Sequence, residues 1–281
     1  MKIFYTKAAL SKNLKTIKPS KKIGLVPTMG ALHKGHLSLI EQSIVDNDHT
    51  IVSVFVNPTQ FDNVSDLKKY PRTLEEDVNL IKSLNSKVFI FAPEAEDLYG
   101  GDVVSRKFNF GAIANEMEGK HRKGHFDGVG TVVSLLLKAV KPTHAYFGEK
   151  DFQQLQIVRK LVEIEQIDTT IKGCPIVREQ NGIALSSRNK RLTQEQFEAA
   201  TLISQSLKEA KKLFKTTSIN KITNHIKAKF NASSHLELEY FEIANVKTLK
   251  TASRKRKGNE YRGFIAAFAG EVRLIDNMAL N

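Results

Sequence analysis

Several residue patterns that announce common site chemistries are missing from this chain. There is one cysteine, Cys174, which excludes an internal disulfide and a cysteine-based zinc site. It lies in an apolar, strand-like run and reads as a buried, inert thiol. No apolar run approaches the length of a membrane span, and lysines interrupt every short apolar stretch of the N-terminal MKIFYTKAALSKNLK, so no signal-peptide core is present. A cytoplasmic location without a membrane partner is therefore expected. No internal repeat or low-complexity tract stands out. Acidic residues are outnumbered, 30 against 43 Lys and Arg, for a net charge of +13. That excess raises a polyanionic partner as an alternative, with RKRKG at 254–258 as the densest cluster. Aromatic residues do not interleave with that cluster as they do in single-strand binders, and many lysines are scattered along 207–229 as on a solvated helix face. The charge reads mainly as surface with a pull on small anions, and nucleic acid is not the expected partner.

What is present alternates. Strand-like runs at 23–28, 51–57, 87–92, 144–148 and 171–177 are separated by apolar-periodic helices at 33–45, 73–84, 129–140 and 151–164. The strands are nearly continuous apolar runs, as in a parallel sheet covered on both faces. The reading is an α/β fold with a doubly wound parallel sheet, its ligand site at the carboxyl ends of the strands. After about residue 177 the pattern becomes two helices, 193–213 and 218–230, then strands at 237–244, 263–269 and 272–276, the last two joined at Gly270-Glu271 as a tight hairpin. This predicts residues 1–176 as the nucleotide domain and 177–281 as a smaller α+β domain that closes over the site. Thr73 with Glu76, and Thr193 with Gln196, have capping-box spacing.

Four segments carry the chemistry. In VPTMGALHKGH (26–36) a strand stops at a glycine turn and a helix follows with His33 and His36 on one face. Gly30 permits a tight turn, and free N–H groups of the first helical turn are expected to face an anion. The spacing is neither G-x-x-x-x-G-K-[ST] nor G-x-G-x-x-G. It resembles instead the H-x-G-H element of nucleotidylyltransferases and adenylate-forming enzymes. In SVFVNPTQF (53–61) Pro58 ends a strand and presents the amides of Asn57 and Gln60, which can recognise a hydroxyl or carboxylate without adding charge. AYFGEKDFQQL (145–155) places Lys150, a phosphate partner, beside Asp151, an N-cap or Mg²⁺ ligand, with Gln153 and Gln154 following. IVREQNGIALSSRNKRL (176–192) offers Ser186, Ser187 and Arg188 to triphosphate oxygens.

Each piece alone also reads as an ordinary polar turn or cap. Together with YPRTLEED, GHFDGVGTVV and the terminal RLIDN, in order and spacing, they resemble the pantothenate synthetase (pantoate–β-alanine ligase) family over nearly the whole chain. The resemblance implies a Rossmann-like nucleotidylyltransferase fold and ATP-dependent condensation of (R)-pantoate with β-alanine through a pantoyl adenylate, giving pantothenate, AMP and pyrophosphate. It also implies Mg²⁺ and a homodimer. Carried onto this chain, it makes His36, His33, Lys150 and Arg188 the catalytic group, with His36 as the family's proton donor. Met29, Gly30, Ala31, Leu32, His33, Lys34, Gly35 and His36 line the ATP site, joined by Gly148, Glu149, Lys150, Asp151, Val177, Leu185, Ser186, Ser187 and Arg188. Gln60 and Gln154, with Asn57, bind substrate. Asp151 is the candidate metal ligand. Adenylation is carboxylate attack on the α-phosphorus, so alignment and charge stabilisation suffice and no nucleophilic side chain is needed.

Two positions depart from the family pattern: Lys123 stands where Pro is usual and Leu185 where Met is usual. The first frees a backbone angle in a substrate-side loop; the second conserves volume. The rival enzyme is a nucleotidylyltransferase that joins a nucleotide to a phosphate ester. That acceptor would need a cationic pocket, whereas Gln60 and Gln154 suit a carboxylate and hydroxyls.

Overall fold

The structure, a computed structural model, describes residues 1–61, 64–85 and 87–281. Its strands are β1 (Lys2–Phe4), β2 (Ile23–Thr28), β3 (His49–Val54), β4 (Phe89–Phe91), β5 (His144–Gly148), β6 (Thr170–Cys174), β7 (Glu237–Asn245), β8 (Tyr261–Ala269) and β9 (Val272–Ala279). Its α-helices are α1 (Lys7–Leu14), α2 (Lys34–Asp46), α3 (Val64–Lys69), α4 (Leu74–Leu84), α5 (Ala95–Tyr99), α6 (Met117–His121), α7 (His125–Val140), α8 (Phe152–Ile164), α9 (Gln194–Ala199), α10 (Thr201–Phe214) and α11 (Ile219–Asn231). Two compact units result. The first comprises Met1–Phe110, His121–Glu149 and Gln154–Pro175; the second comprises Gly111–Lys120, Lys150–Gln153 and Ile176–Asn281.

In the first unit β1 to β6 form one parallel sheet in the order β1-β4-β3-β2-β5-β6. Leu25, Val26, Ile51, Val52, Ile90, Phe91, Ala145 and Tyr146 are buried, as strands covered on both faces require. The order reverses between β2 and β5, which makes their carboxyl ends the expected ligand crevice. Ladder pairing between these strands covers only Gly24 with His144 and Leu25 with Ala145. Pro27, which has no N–H to give, falls beyond that pairing, where the missing donor costs no bond to β5.

The edge strand β1 and helix α1 have no counterpart in the sequence pattern; β1 pairs Lys2 with Phe89 through Phe4 with Phe91, giving six strands where the pattern suggests five. Three expected strands are shorter. β3 stops at Val54 because the chain turns into Pro58, and β6 stops at Cys174 because Pro175 follows. β4 starts at Phe89 because Asn85 holds the Lys87 amide at 2.8 Å on its Oδ1 and the Val88 amide at 3.3 Å on its carbonyl. The Thr73–Glu76 capping box does not form: Thr73 has φ −125° and ψ 46°, and its side chain makes no cap hydrogen bond. The Thr193–Gln196 box does form, but the helix it starts ends at Ala199, with α10 following directly.

The second unit stacks α10 and α11 on the antiparallel sheet β7-β8-β9. Ile203, Leu207, Ala210 and Phe214 on α10, and Ile219, Ile222, Ile226 and Phe230 on α11, recur at helical spacing and pack with Phe241, Ile243, Ile265 and Ala267 of the sheet. Gly270 opens the β8–β9 hairpin with φ +58°. Segments 111–120 and 150–153 belong to this unit, although a division at 176/177 assigns them to the first. The cause is side-chain packing. Phe152 lies 6.1 Å from Phe264 in a cluster with Met117 and Tyr240, and Gln153 bonds to the 113–118 backbone.

Candidate active site

The loop after β2 in the first unit is shaped by a carboxylate from a distant helix. Gly30 (φ +79°) and Ala31 (φ +50°) are both left-handed. Asp77 of α4, only 2% exposed, accepts the Ala31 amide at 3.0 Å on Oδ2 and the Leu32 amide at 2.7 Å on Oδ1. A Cβ at Gly30 would stand 2.9 Å from Asp77 Oδ2 and 3.2 Å from Val54 Cγ1, so glycine is needed for space as well as for φ. Burial pushes the Asp77 carboxyl above its ordinary value, opposed by the two amides that favour its charged form.

His33 is the N-cap of α2 and His36 its third helical residue, and they cap each other's backbone. His33 Nδ1 accepts from Gly35 N at 3.1 Å, and His36 Nδ1 accepts from His33 N at 3.3 Å; the ring centroids are 4.0 Å apart. A neutral imidazole that accepts on Nδ1 carries its proton on Nε2, so each ring is set as an Nε2–H donor. Most of the amides expected to be open around this helix start are engaged. The amides of Gly30, Ala31, Leu32, His33, Gly35 and His36 all have protein partners. Both imidazoles thus have Nδ1 committed to the backbone, and exposed Lys34 lies between them in the chain.

Gln60 and Met29 come together: Gln60 Nε2 lies 3.1 Å from Met29 Sδ. The Gln60 amide is oriented by Asn57, whose Nδ2 donates to Gln60 Oε1 at 3.1 Å, so Gln60 presents its NH₂ as a donor. Asn57 is 1% exposed and fully satisfied. It donates also to Gly128 O at 3.2 Å and accepts from Tyr99 at 2.6 Å and Thr59 at 3.2 Å. This places it behind Gln60 as a support, where the sequence reading grouped it with the substrate contacts. His125 Nδ1 bonds to Gln60 O at 2.8 Å, and α7 approaches so closely that a Cβ at Gly128 would lie 2.3 Å from Thr59 O and 2.7 Å from Gln60 Cα. Gly148 ends β5 and Glu149 follows it in the same unit, and Gln154 lies in the first turn of α8.

The second unit holds Lys150, Asp151, Val177, Leu185, Ser186, Ser187 and Arg188. Leu185 is buried and its amide bonds to Val177 O at 3.0 Å, which ties these two together. Ser186 caps the 3₁₀ turn Ser187–Arg191 by accepting from Arg188 N at 3.2 Å. Lys150 is half-buried, and its carbonyl accepts from Asn277 Nδ2 at 2.8 Å. Asp151 is exposed. Among the described residues no group of three or more His, Cys, Asp or Glu is placed to hold a metal ion.

Sequence reasoning missed the supporting residues Asp77, Tyr99, His125 and Asn277, together with Arg262, which donates to Asn277 Oδ1, and Asp276, which binds Arg178. Asp77 lies within YPRTLEED, His125 within GHFDGVGTVV, and Asp276 and Asn277 within RLIDN. Those motifs carried the family resemblance, but nothing local to them says which loop they hold.

The sequence model of the family described as pantoate-beta-alanine ligase matches residues 2–279. The chain belongs to this family. It is 57% identical over 264 residues to the pantothenate synthetase of Flavobacterium psychrophilum, a match spanning 94% of each chain. It is 50% identical over 282 residues to that of Christiangramia forsetii, covering both chains fully. Among solved structures, the pantothenate synthetase of Thermus thermophilus superposes with a TM-score of 0.91 at 36% identity, covering 100% of this chain and 99% of that one. The pantoate-beta-alanine ligase from Francisella tularensis, solved in complex with beta-gamma ATP and beta-alanine, gives a TM-score of 0.80 at 37% identity, with 100% and 98% covered. As a member of the pantoate–β-alanine ligase family, this chain is an enzyme that forms pantothenate from pantoate and β-alanine.

Proposed function

We propose that the reaction proceeds by adenylation, with Mg·ATP as the nucleotide substrate. A carboxylate oxygen of (R)-pantoate attacks the α-phosphorus, pyrophosphate leaves with the bonding electron pair, and the amine of β-alanine then attacks the acyl carbon of pantoyl adenylate, losing a proton and expelling AMP. The observation that carries this reading is the reciprocal capping of His33 and His36, which commits both Nδ1 atoms to the backbone and fixes each ring in the Nε2–H tautomer, the form that donates to phosphate oxygens. Lys150 and Arg188 neutralise charge on the departing pyrophosphate. Ser186 and Ser187 join the segments containing Val177 and Leu185 in holding the nucleotide. Gln60, with its NH₂ set by Asn57, and Gln154 hold pantoate. Asp151, an exposed carboxylate next to Lys150, would be the protein contact for a Mg²⁺ ion bound with the triphosphate.

A homodimer in the cytoplasm is part of the same reading, supported by family membership; sedimentation measures the first and fractionation the second. Among the described residues no helix is long and apolar enough to cross a membrane. The basic cluster supports a surface role over nucleic-acid binding, since Lys255 is engaged with the Phe214 carbonyl and lies 4.7 Å from its ring centroid. Pantoate labelled with ¹⁸O in its carboxylate tests the reading: label passes to AMP if that carboxylate attacks the α-phosphorus. AMP free of label, or ADP with phosphate as products, would exclude it.

A further inference from the structure

Lys150 is gripped from behind by the last strand of the second unit. Asn277, 2% exposed, donates from Nδ2 to the Lys150 carbonyl at 2.8 Å, and its Oδ1 accepts from Arg262 Nη1. A guanidinium has donors only, so Arg262 fixes which end of the Asn277 amide faces Lys150. Arg262 is itself held, with its guanidinium carbon 4.0 Å from the ring centroid of Phe152, two residues after Lys150. The neighbouring Asp276 accepts the Asn277 amide at 2.7 Å and binds Arg178 through both oxygens, at 2.6 and 3.0 Å. Arg178 also donates to Gly182 O at 3.0 Å and pairs with Ala184, just before Leu185 to Arg188. Two consecutive residues of β9 therefore hold both nucleotide-facing segments of this unit.

We propose that Asn277, oriented by Arg262, is a positioning residue for the adenylation step, acting through Lys150. The lysine stem is long and flexible, so the place where its backbone is pinned decides where the ammonium can dwell. Releasing the Lys150 carbonyl lets the 150–153 segment shift, and an error of about 1 Å at a charge-stabilising contact costs on the order of 10²-fold in rate. Attack of β-alanine follows pyrophosphate departure, so the second half-reaction is spared. The inference rests on the reading of Lys150 given above, and the test separates the two.

Single-turnover rates of both half-reactions are measured for Asn277→Ala and Asn277→Asp, each with Lys150 intact and with Lys150→Met. Asn277→Asp keeps shape and the acceptor for Arg262 but turns an acceptor on the Lys150 carbonyl, so it supplies the test should the alanine variant not fold. Pyrophosphate release from pantoate and ATP is expected to slow at least about tenfold. Attack of β-alanine on supplied pantoyl adenylate changes by less than about threefold. Either Asn277 variant adds nothing further to Lys150→Met, the signature of two residues acting as one device. Equal slowing of both half-reactions, or full multiplication with Lys150→Met, makes Asn277 a structural residue and overturns the proposal. Unchanged adenylation in Asn277→Asp while Lys150→Met is slow also overturns it. Lys150→Met adenylating at the parent rate removes the reading of Lys150 itself.

Discussion

The histidine loop of the first unit and the lysine segment of the second are held by different physics. The loop at 30–36 is fixed by backbone and imidazole hydrogen bonds over short stretches and by one buried carboxylate from farther along the chain, Asp77. The segment at 150–153 is fixed by an arginine-rich web. Arg262 and Asn277 hold one end, and Gln153 bonds to Ile113 O, Glu116 O and Glu118 N at the other. Glu118 in turn binds Arg273 at 2.7 and 2.9 Å and accepts from Tyr240 at 2.6 Å. A loop whose backbone bonds are satisfied locally can present neutral donors of fixed tautomer. The segment that carries Lys150 is built where guanidinium–carboxylate pairs hold the surrounding chain. On the proposed reading, the first unit contributes hydrogen-bond geometry and the second contributes charge.

The largest effect expected from breaking this contrast is on charge. Lys150→Met keeps the aliphatic stem and should slow adenylation by roughly 10²–10³ with little loss of fold, as for one lost transition-state contact. Adenylation within a few-fold of the parent would reduce Lys150 to a surface cap. In the first unit Asp77→Asn leaves one acceptor for two amides and turns an NH₂ against the other. Stability should fall by about 1–3 kcal/mol, read from denaturant midpoints, and ATP-dependent turnover should fall with it as the loop loosens. An Asp77→Asn enzyme with parental kinetics would mean the loop needs no clamp. Gln60→Ala should weaken pantoate binding by about 1–3 kcal/mol, as for a lost buried hydrogen bond, with ATP binding much less affected. Equal loss for both substrates would point to a general defect.

The smallest effect concerns Lys123. The turn Arg122–His125 is closed by His125 N to Arg122 O at 3.2 Å, and Gly124 sits at φ 78° and ψ −7°, which is the third position of a type II turn. Lys123 therefore occupies the position that favours proline. Lys123→Pro should raise stability by about 0.4–1 kcal/mol by restricting the unfolded chain, with turnover unchanged, and a loss of stability would show that the turn needs the Lys123 amide.

The parts of the fold that were legible in sequence are those written in local pattern. The parallel sheet, the helix after the glycine turn, the Thr193 cap and the Gly270 hairpin each depend on residues within a few positions of one another. β1 is not legible in sequence because three residues on an edge, Lys2 to Phe4, carry no period of their own and become a strand only by pairing with β4. The histidines and the amides after Pro58 were visible as chemistry. Their supports were not, because Asp77 is 45 positions from the Leu32 amide it holds and Asn277 is 127 from Lys150. A capping box made of two histidines also lies outside the usual Ser/Thr and Glu/Gln signature, so nothing local marks the His33 and Gly35 amides as engaged.

Adenylation without a covalent enzyme intermediate is tested most directly by mixing enzyme with ATP and pantoate, leaving β-alanine out, and following pyrophosphate on the pre-steady-state timescale. The expected result is a burst of about one pyrophosphate per site that then stops, with turnover resuming when β-alanine is added. Pyrophosphate release that waits for β-alanine, or ADP and phosphate in place of AMP and pyrophosphate, would contradict it.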